Sequence, residues 1–289
     1  MPHPAGRSVD RAAQRVNHMS PSRGSALTSP RVQRVLLLLP PSEGKTAPRR
    51  GRPLDLEALT FAGQLTPTRR AVLDALAAAS VRPDALAVLG VPPTLGAEVA
   101  RNPLLAVAPT APAGAVYSGV LSDALDLGSL DPAARRRAHR WVLVSSAVFG
   151  ALRLTDRIPA YRLSMKVSLP PVGPLAAVWR GPLAAALDVV AARGLLVDAR
   201  SSTYAAAWVP RGAAAERWVW VEVPGATHLA KHTRGLVARH LCLAGVNART
   251  PRRLAEVVAS AFSVELAPPA RSGRPWVLSV GGTHGHDGA

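Results

Sequence analysis

Five consecutive apolar residues, Val35-Leu36-Leu37-Leu38-Leu39, are stopped by Pro40-Pro41 and followed by Ser42-Glu43-Gly44-Lys45-Thr46. A short unbroken apolar run closed by turn residues reads as a strand buried on both faces. Strands of that kind belong to sheets covered by helices on either side, so the chain is read as α/β. In open α/β sheets, binding groups gather in the loops just past the carboxyl ends of such strands. Residues 42–46 are therefore the first place to expect chemistry. Gly44-Lys45-Thr46 matches the end of the phosphate-binding motif G-x-x-x-x-G-K-[ST]. Its first glycine would fall on Leu39, and Pro40 and Pro41 lack the N–H groups that cradle phosphate. The stretch is read as a strand-ending turn carrying a lysine, not as a nucleotide P-loop.

Two more apolar runs behave alike. Residues 141–145 lead into Ser145 and Ser146, and residues 195–198 lead into Asp198, Arg200, Ser201, Ser202 and Tyr204. Helices are expected from Thr66-Pro67 to Ser80, after Asp131-Pro132 through His139, over 182–192 and over 226–244. Hairpins are expected from 206–209 with 218–223 around Arg211-Gly212, and from 262–266 with 276–280. Strands alternate with helices, which predicts a single α/β domain over 34–283, with a mixed β-sheet flanked by helices. Residues 1–33, rich in Pro, Ser and Arg, read as a disordered basic arm, and 284–289 as a frayed tail. Segments 83–100 and 241–258 read helix, glycine turn, helix, as in a helix-hairpin-helix whose turn amides hold a DNA phosphate.

The net charge of +17 predicts attraction to polyanions, with nucleic acid the leading candidate. The kind of cation is more informative than the number. Of 35 basic residues, 32 are arginine and three are lysine: Lys45, Lys166 and Lys231. Where arginine serves nearly everywhere, a retained lysine points to properties arginine lacks: a compact charge, a pKa that shifts, and an amine able to form a Schiff base. Tyr161 and Arg162 precede Lys166, and such a pair can stack on a base and grip a phosphate. Lys231 and Arg234 lie three apart and share a helix face. His228 and His232 have the spacing of a metal pair but no third ligand, so no metal or cofactor is expected.

If the three apolar strands run parallel, their polar ends meet in one cleft. Ser42, Lys45, Thr46, Arg162, Lys166, Arg200, Ser201, Tyr204, Lys231 and Arg234 are the expected anion- or DNA-binding residues. A monomer binding DNA through this cleft is one expectation. The alternative is a lysine-dependent lyase or glycosylase acting on damaged bases or a nucleotide-like small molecule, with Lys45, Lys231, Asp198 and Tyr161 as candidate catalytic groups. The single cysteine, Cys242, excludes an intrachain disulfide. With no apolar run of spanning length and no secretory signal pattern, a cytoplasmic protein is expected.

The strand leading to Pro-Pro-Ser-Glu-Gly-Lys-Thr, then Val116–Gly119, Phe149–Met165, Trp179, Asp198–Tyr204 and Ala230–Arg239 follow one another in an order that resembles the YaaA peroxide stress family. Tyr161-Arg162-Leu163 and Lys231-x-x-Arg234-Gly235 are its most specific elements. The opening loop is Ser-Pro-Ala-Lys-Thr in many bacterial members, and Lys45 and Thr46 carry over. The resemblance implies a cytosolic single-domain α/β protein with a basic cleft and DNA binding of helix-hairpin-helix character. It also implies a role in limiting peroxide damage by lowering free iron. One cysteine and scattered histidines give no evident iron cage, so shielding or repair of DNA is the easier physical route.

Overall fold

A computed structural model describes residues 35–225 and 227–283, and these form one compact unit. The expected arm over 1–33 and tail over 284–289 lie outside the described residues. The main sheet is built from β1 (Val35–Leu39), β2 (Val142–Ser146), β3 (Gly150–Arg153), β4 (Leu195–Asp198), β5 (Trp218–Glu222), β6 (Phe262–Ala267) and β7 (Trp276–Thr283). Their order across the sheet is β6-β7-β5-β4-β1-β2-β3. The five inner strands run parallel, and β3 and β6 close the two edges antiparallel. The sheet is thus mixed, and the domain is α/β. Every residue of β1 is buried, as an apolar run at the centre of a sheet covered on both faces requires.

The covering helices are α1 (Ala62–Ser80), α2 (Val120–Leu125), α3 (Pro132–Trp141), α4 (Arg180–Ala191), α5 (Thr227–Ala244) and α6 (Pro251–Ala259). Helix α1 packs on α4, while α5 packs on α2, α3 and α6. Asp131 caps α3 as expected, its carboxylate accepting from the amides of Ala133 and Ala134. No helix among the described residues is long and apolar enough to cross a membrane.

The sheet order fixes where a ligand can enter. From β1 the chain proceeds to β2 on one side, and it later returns to β4 on the other. The loops leaving β1 and β4 therefore diverge and leave a crevice beyond Leu39 and Asp198, the position that open α/β sheets use for binding.

Three expectations are corrected. Helix α1 begins at Ala62 rather than Thr66, with Pro67 inside it. Phe61, at φ 62°, turns the chain into the helix, and burial of Leu65 and Thr66 holds the extra turn. The first hairpin does not exist. Residues 202–205 and 213–216 are short helices within a crossover, and β5 pairs parallel to β4. The alanine-rich stretch around Trp208 favours helical turns, and a parallel partner cannot be reached by a tight turn. Finally, the glycine turn within 83–100 does not offer the amides of Gly90 and Val91 to a phosphate. Gly90 closes the helix 85–89, and the N–H groups of Gly90 and Val91 bond back to Ala87 O and Leu86 O.

Candidate functional site: a cleft at the strand ends

The chain leaving β1 is pinned at once. Gly44 and Lys45 form a two-residue antiparallel ladder with Tyr117 and Ser118, and Thr46 N–H bonds to Val116 O at 2.8 Å. A P-loop would run straight into a helix after the lysine. Here the lysine sits on an extended segment, so the nucleotide motif is absent in structure as well. A Cβ on Gly44 would lie 3.1 Å from Ser118 O, so the absence of a side chain lets the ladder close. Ser42 Oγ meets Ser122 Oγ of α2 at 2.6 Å and ties the loop to that helix.

Helix α5 brings the second group of cations. A Cβ on Gly235 would collide with Leu121 O and come within 2.7 Å of Ala124 Cβ, both on α2. The glycine lets α5 lie directly on α2. Lys231, one turn earlier, and Arg234, the residue just before the glycine, then line the same cleft as the Ser42 loop. Lys231 Nζ reaches Glu43 Oε1 at 3.3 Å across the opening. Arg234 Nε is buried without a hydrogen-bond partner among the described residues, and burial holds its guanidinium below the usual arginine range, against the field of Asp198.

The third wall is the Tyr161–Lys166 run. Asn102 fixes it by accepting from Arg162 N–H at 2.9 Å and donating to Arg162 O at 3.0 Å. The Arg162 guanidinium donates to Glu43 O at 3.3 Å and faces Glu98 at 3.5 Å. Together these walls enclose a cleft of about 550 Å³. All three lysines of the chain line it, with Arg162, Arg234, Glu43 and His228. Ser42, Ser201 and Tyr204 also face it.

Lys45 occupies an unusual position in the cleft. Its ammonium donates to Ser42 O at 3.1 Å and Glu43 O at 3.3 Å, and lies 4.3 Å from the centre of the Tyr161 ring. The carbonyls and the ring face favour the charged form. Burial, followed by the neighbouring Arg162 cation, opposes it and lowers the pKa to about 7.

Not every expected residue lines the cleft. Tyr161 is buried beneath Lys45, its hydroxyl tied to Tyr117 Oη at 3.0 Å and Ser146 Oγ at 2.8 Å. Burial pushes its phenol well above the usual range, and the Tyr204 phenol likewise. Asp198 and Arg200 are both fully buried and form a bidentate pair at 2.9 and 2.7 Å. Trp218 Nε1 donates to the same carboxylate, and Arg200 also donates to Trp208 O. The pair ties the β4 exit to the crossover and leaves neither group facing the cleft. Thr46 is exposed beside the opening and not among the residues that line it.

Sequence reading gives no role to Glu98 or Asn102, and it places Glu43 and Tyr117 only within the segments 42–46 and 116–119, with no function of their own. Glu43 stood in the opening motif, but nothing local reveals that its carboxylate reaches a helix 188 residues away. No group of three or more His, Cys, Asp or Glu among the described residues is placed to hold a metal.

The family model for the peroxide stress protein YaaA matches residues 35–267, which takes in the sheet up to β6 and every wall of the cleft. The chain belongs to this family. It is 47% identical to UPF0246 protein SCO2297 of Streptomyces coelicolor over 255 residues, covering 85% of this chain and 98% of that one. It is 39% identical to UPF0246 protein CE1889 of Corynebacterium efficiens over 241 residues, covering 80% and 95%.

Proposed function

We propose that this member of the peroxide stress family binds DNA through the cleft at the ends of β1 and β4. The observation that carries the reading is the convergence of Lys45, Arg162, Lys166, Lys231 and Arg234 on one cavity, with the buried Arg234 Nε lacking a hydrogen-bond partner among the described residues. A basic cleft of this kind meets phosphate with side chains. The helix-hairpin-helix route has less support. The Gly90 and Val91 amides are engaged. In the second segment, Arg137 caps the carbonyls of Cys242 and Leu243, and Thr250 starts α6.

The cleft's volume falls in the range of small-ligand sites, about 300–1,000 Å³. It accepts a nucleotide unit rather than the width of a duplex, which favours distorted, bulged or single-stranded sites. Glu43 stands where an anion would bind and must yield Lys231 to it. Direct peroxide chemistry at sulfur is disfavoured, because burial pushes the Cys242 thiol up to about 12 and leaves little thiolate at neutral pH.

Fluorescence anisotropy with duplex, bulged and single-stranded DNA over a salt series tests the proposal. The expected result is tighter binding to the bulged or single strand, with affinity falling steeply as salt rises. Micromolar binding that ignores salt would sink it. A second reading, lysine-dependent chemistry on the bound ligand, is favoured by the setting of Lys45, held by the Ser42 and Glu43 carbonyls against the Tyr161 ring in the cleft.

A further inference from the structure

Binding phosphate does not explain why the cleft holds lysines. Arginine grips phosphate bidentately and is the cation this chain uses at 32 of 35 basic positions. Yet all three lysines fall in this one cavity. What an amine offers beyond a guanidinium is a neutral, nucleophilic form.

The three lysines differ in setting. Lys166 is exposed, and Lys231 is paired with Glu43 at the opening. Lys45 is half-buried, held in place by the Ser42 and Glu43 carbonyls and backed by the Tyr161 ring. The tyrosine hydroxyls beneath it are tied to each other and to Ser146, so they hold the ring still. Burial, followed by the Arg162 cation, lowers the Lys45 pKa to about 7, which brings the neutral amine within reach near neutral pH.

We propose that Lys45 forms an imine with an aldehyde borne by a phosphate-carrying ligand in this cleft. The proposal rests on the anion-binding reading above, because Arg162, Lys231 and Arg234 are assigned to the phosphate. The neutral amine attacks the carbonyl carbon, a C–N bond forms, and the carbonyl π pair moves to oxygen. The carbinolamine then expels that oxygen as water, which carries off both N–H protons. No oxidant or reductant is needed. An aldehyde with an adjoining phosphate arises in two settings, the ring-opened sugar of an abasic site in DNA and a free sugar phosphate.

The full-length protein is incubated with an abasic-site duplex and, separately, with glyceraldehyde 3-phosphate, each with sodium cyanoborohydride. Peptide mass mapping then locates any reduced adduct. The expected result is a single adduct at Lys45, forming with an apparent pKa near 7 and lost in Lys45→Arg. An adduct with the oligonucleotide alone identifies a nucleic-acid aldehyde, and one with the sugar phosphate alone identifies a metabolite. No adduct with either probe overturns the proposal. So does labelling spread evenly over Lys45, Lys166, Lys231 and the terminal amine. The mapping uses wild-type protein, so it does not depend on the variant folding. Salt-dependent binding of undamaged DNA is measured in the same samples. If binding persists without an adduct, only the imine fails; if an adduct forms without DNA binding, the DNA reading fails.

Discussion

The carboxylate of Asp198 accepts from Arg200 N–H, Arg200 Nε, Arg200 Nη2 and Trp218 Nε1, with nothing left to offer a ligand. Removing one partner of a fully buried ion pair strands the other charge, which costs about 3–5 kcal/mol. Asp198→Ala is expected to lose stability in that range, read as a lowered urea midpoint. A change below about 1 kcal/mol would mean that Arg200 finds solvent or another acceptor. This residue also marks a limit of reading sequence. Hydrophobe-hydrophobe-hydrophobe-Asp at a strand end suggests a group aimed at a ligand, and Tyr161 beside Arg162 suggests a stacking platform. Both are buried supports, because whether a polar group at a strand end turns outward or inward depends on partners such as Trp218 and Tyr117, far away in sequence. The lysines were legible for the opposite reason. Their signal was compositional, three among 35, and needed no knowledge of contacts.

At the scale of elements, the site depends on α5 lying directly against α2. Alanine for glycine within a helix normally stabilises by about 1 kcal/mol. At Gly235 the added Cβ would meet the backbone oxygen of Leu121 and the Ala124 side chain, and a backbone atom cannot swing aside. Overpacking of this kind costs about 1–3 kcal/mol, so the clash outweighs the propensity gain. Gly235→Ala is expected to lower the thermal midpoint and to weaken DNA binding together, since Lys231 and Arg234 ride on the displaced helix. Loss of stability with unchanged affinity would show that α5 can shift without moving its cations. The elements themselves were largely readable. Strands β1, β4, β6 and β7 and helices α3 and α5 follow from apolar runs and caps. The lost hairpin shows what local pattern cannot supply: 206–209 and 218–223 look like two short strands. Only the partner in space, β4 rather than each other, decides that the first is turn and coil within the crossover, between two short helices.

The whole molecule poses a sharper question, because a chain of net charge +17 attracts DNA without any site at all. Bulk charge and a built cleft differ in how affinity depends on where charge is removed. Lys166→Ala, Lys231→Ala and Arg234→Ala combined take the formal charge from +17 to +14, since 17 − 3 = 14. Arg252→Ala, Arg271→Ala and Arg274→Ala combined do the same at exposed positions that do not line the cleft. If diffuse attraction dominates, the two triple variants bind alike. If the cleft at the β1–β4 switch point holds the phosphates, the first variant loses affinity and its log–log salt slope falls by about 3, close to one unit per phosphate contact. The second then keeps nearly the wild-type slope. Anisotropy on the same bulged DNA from low to physiological salt reads both quantities. Equal slopes for the two variants would remove the cleft from the account, and the excess charge would then be a general property of the surface.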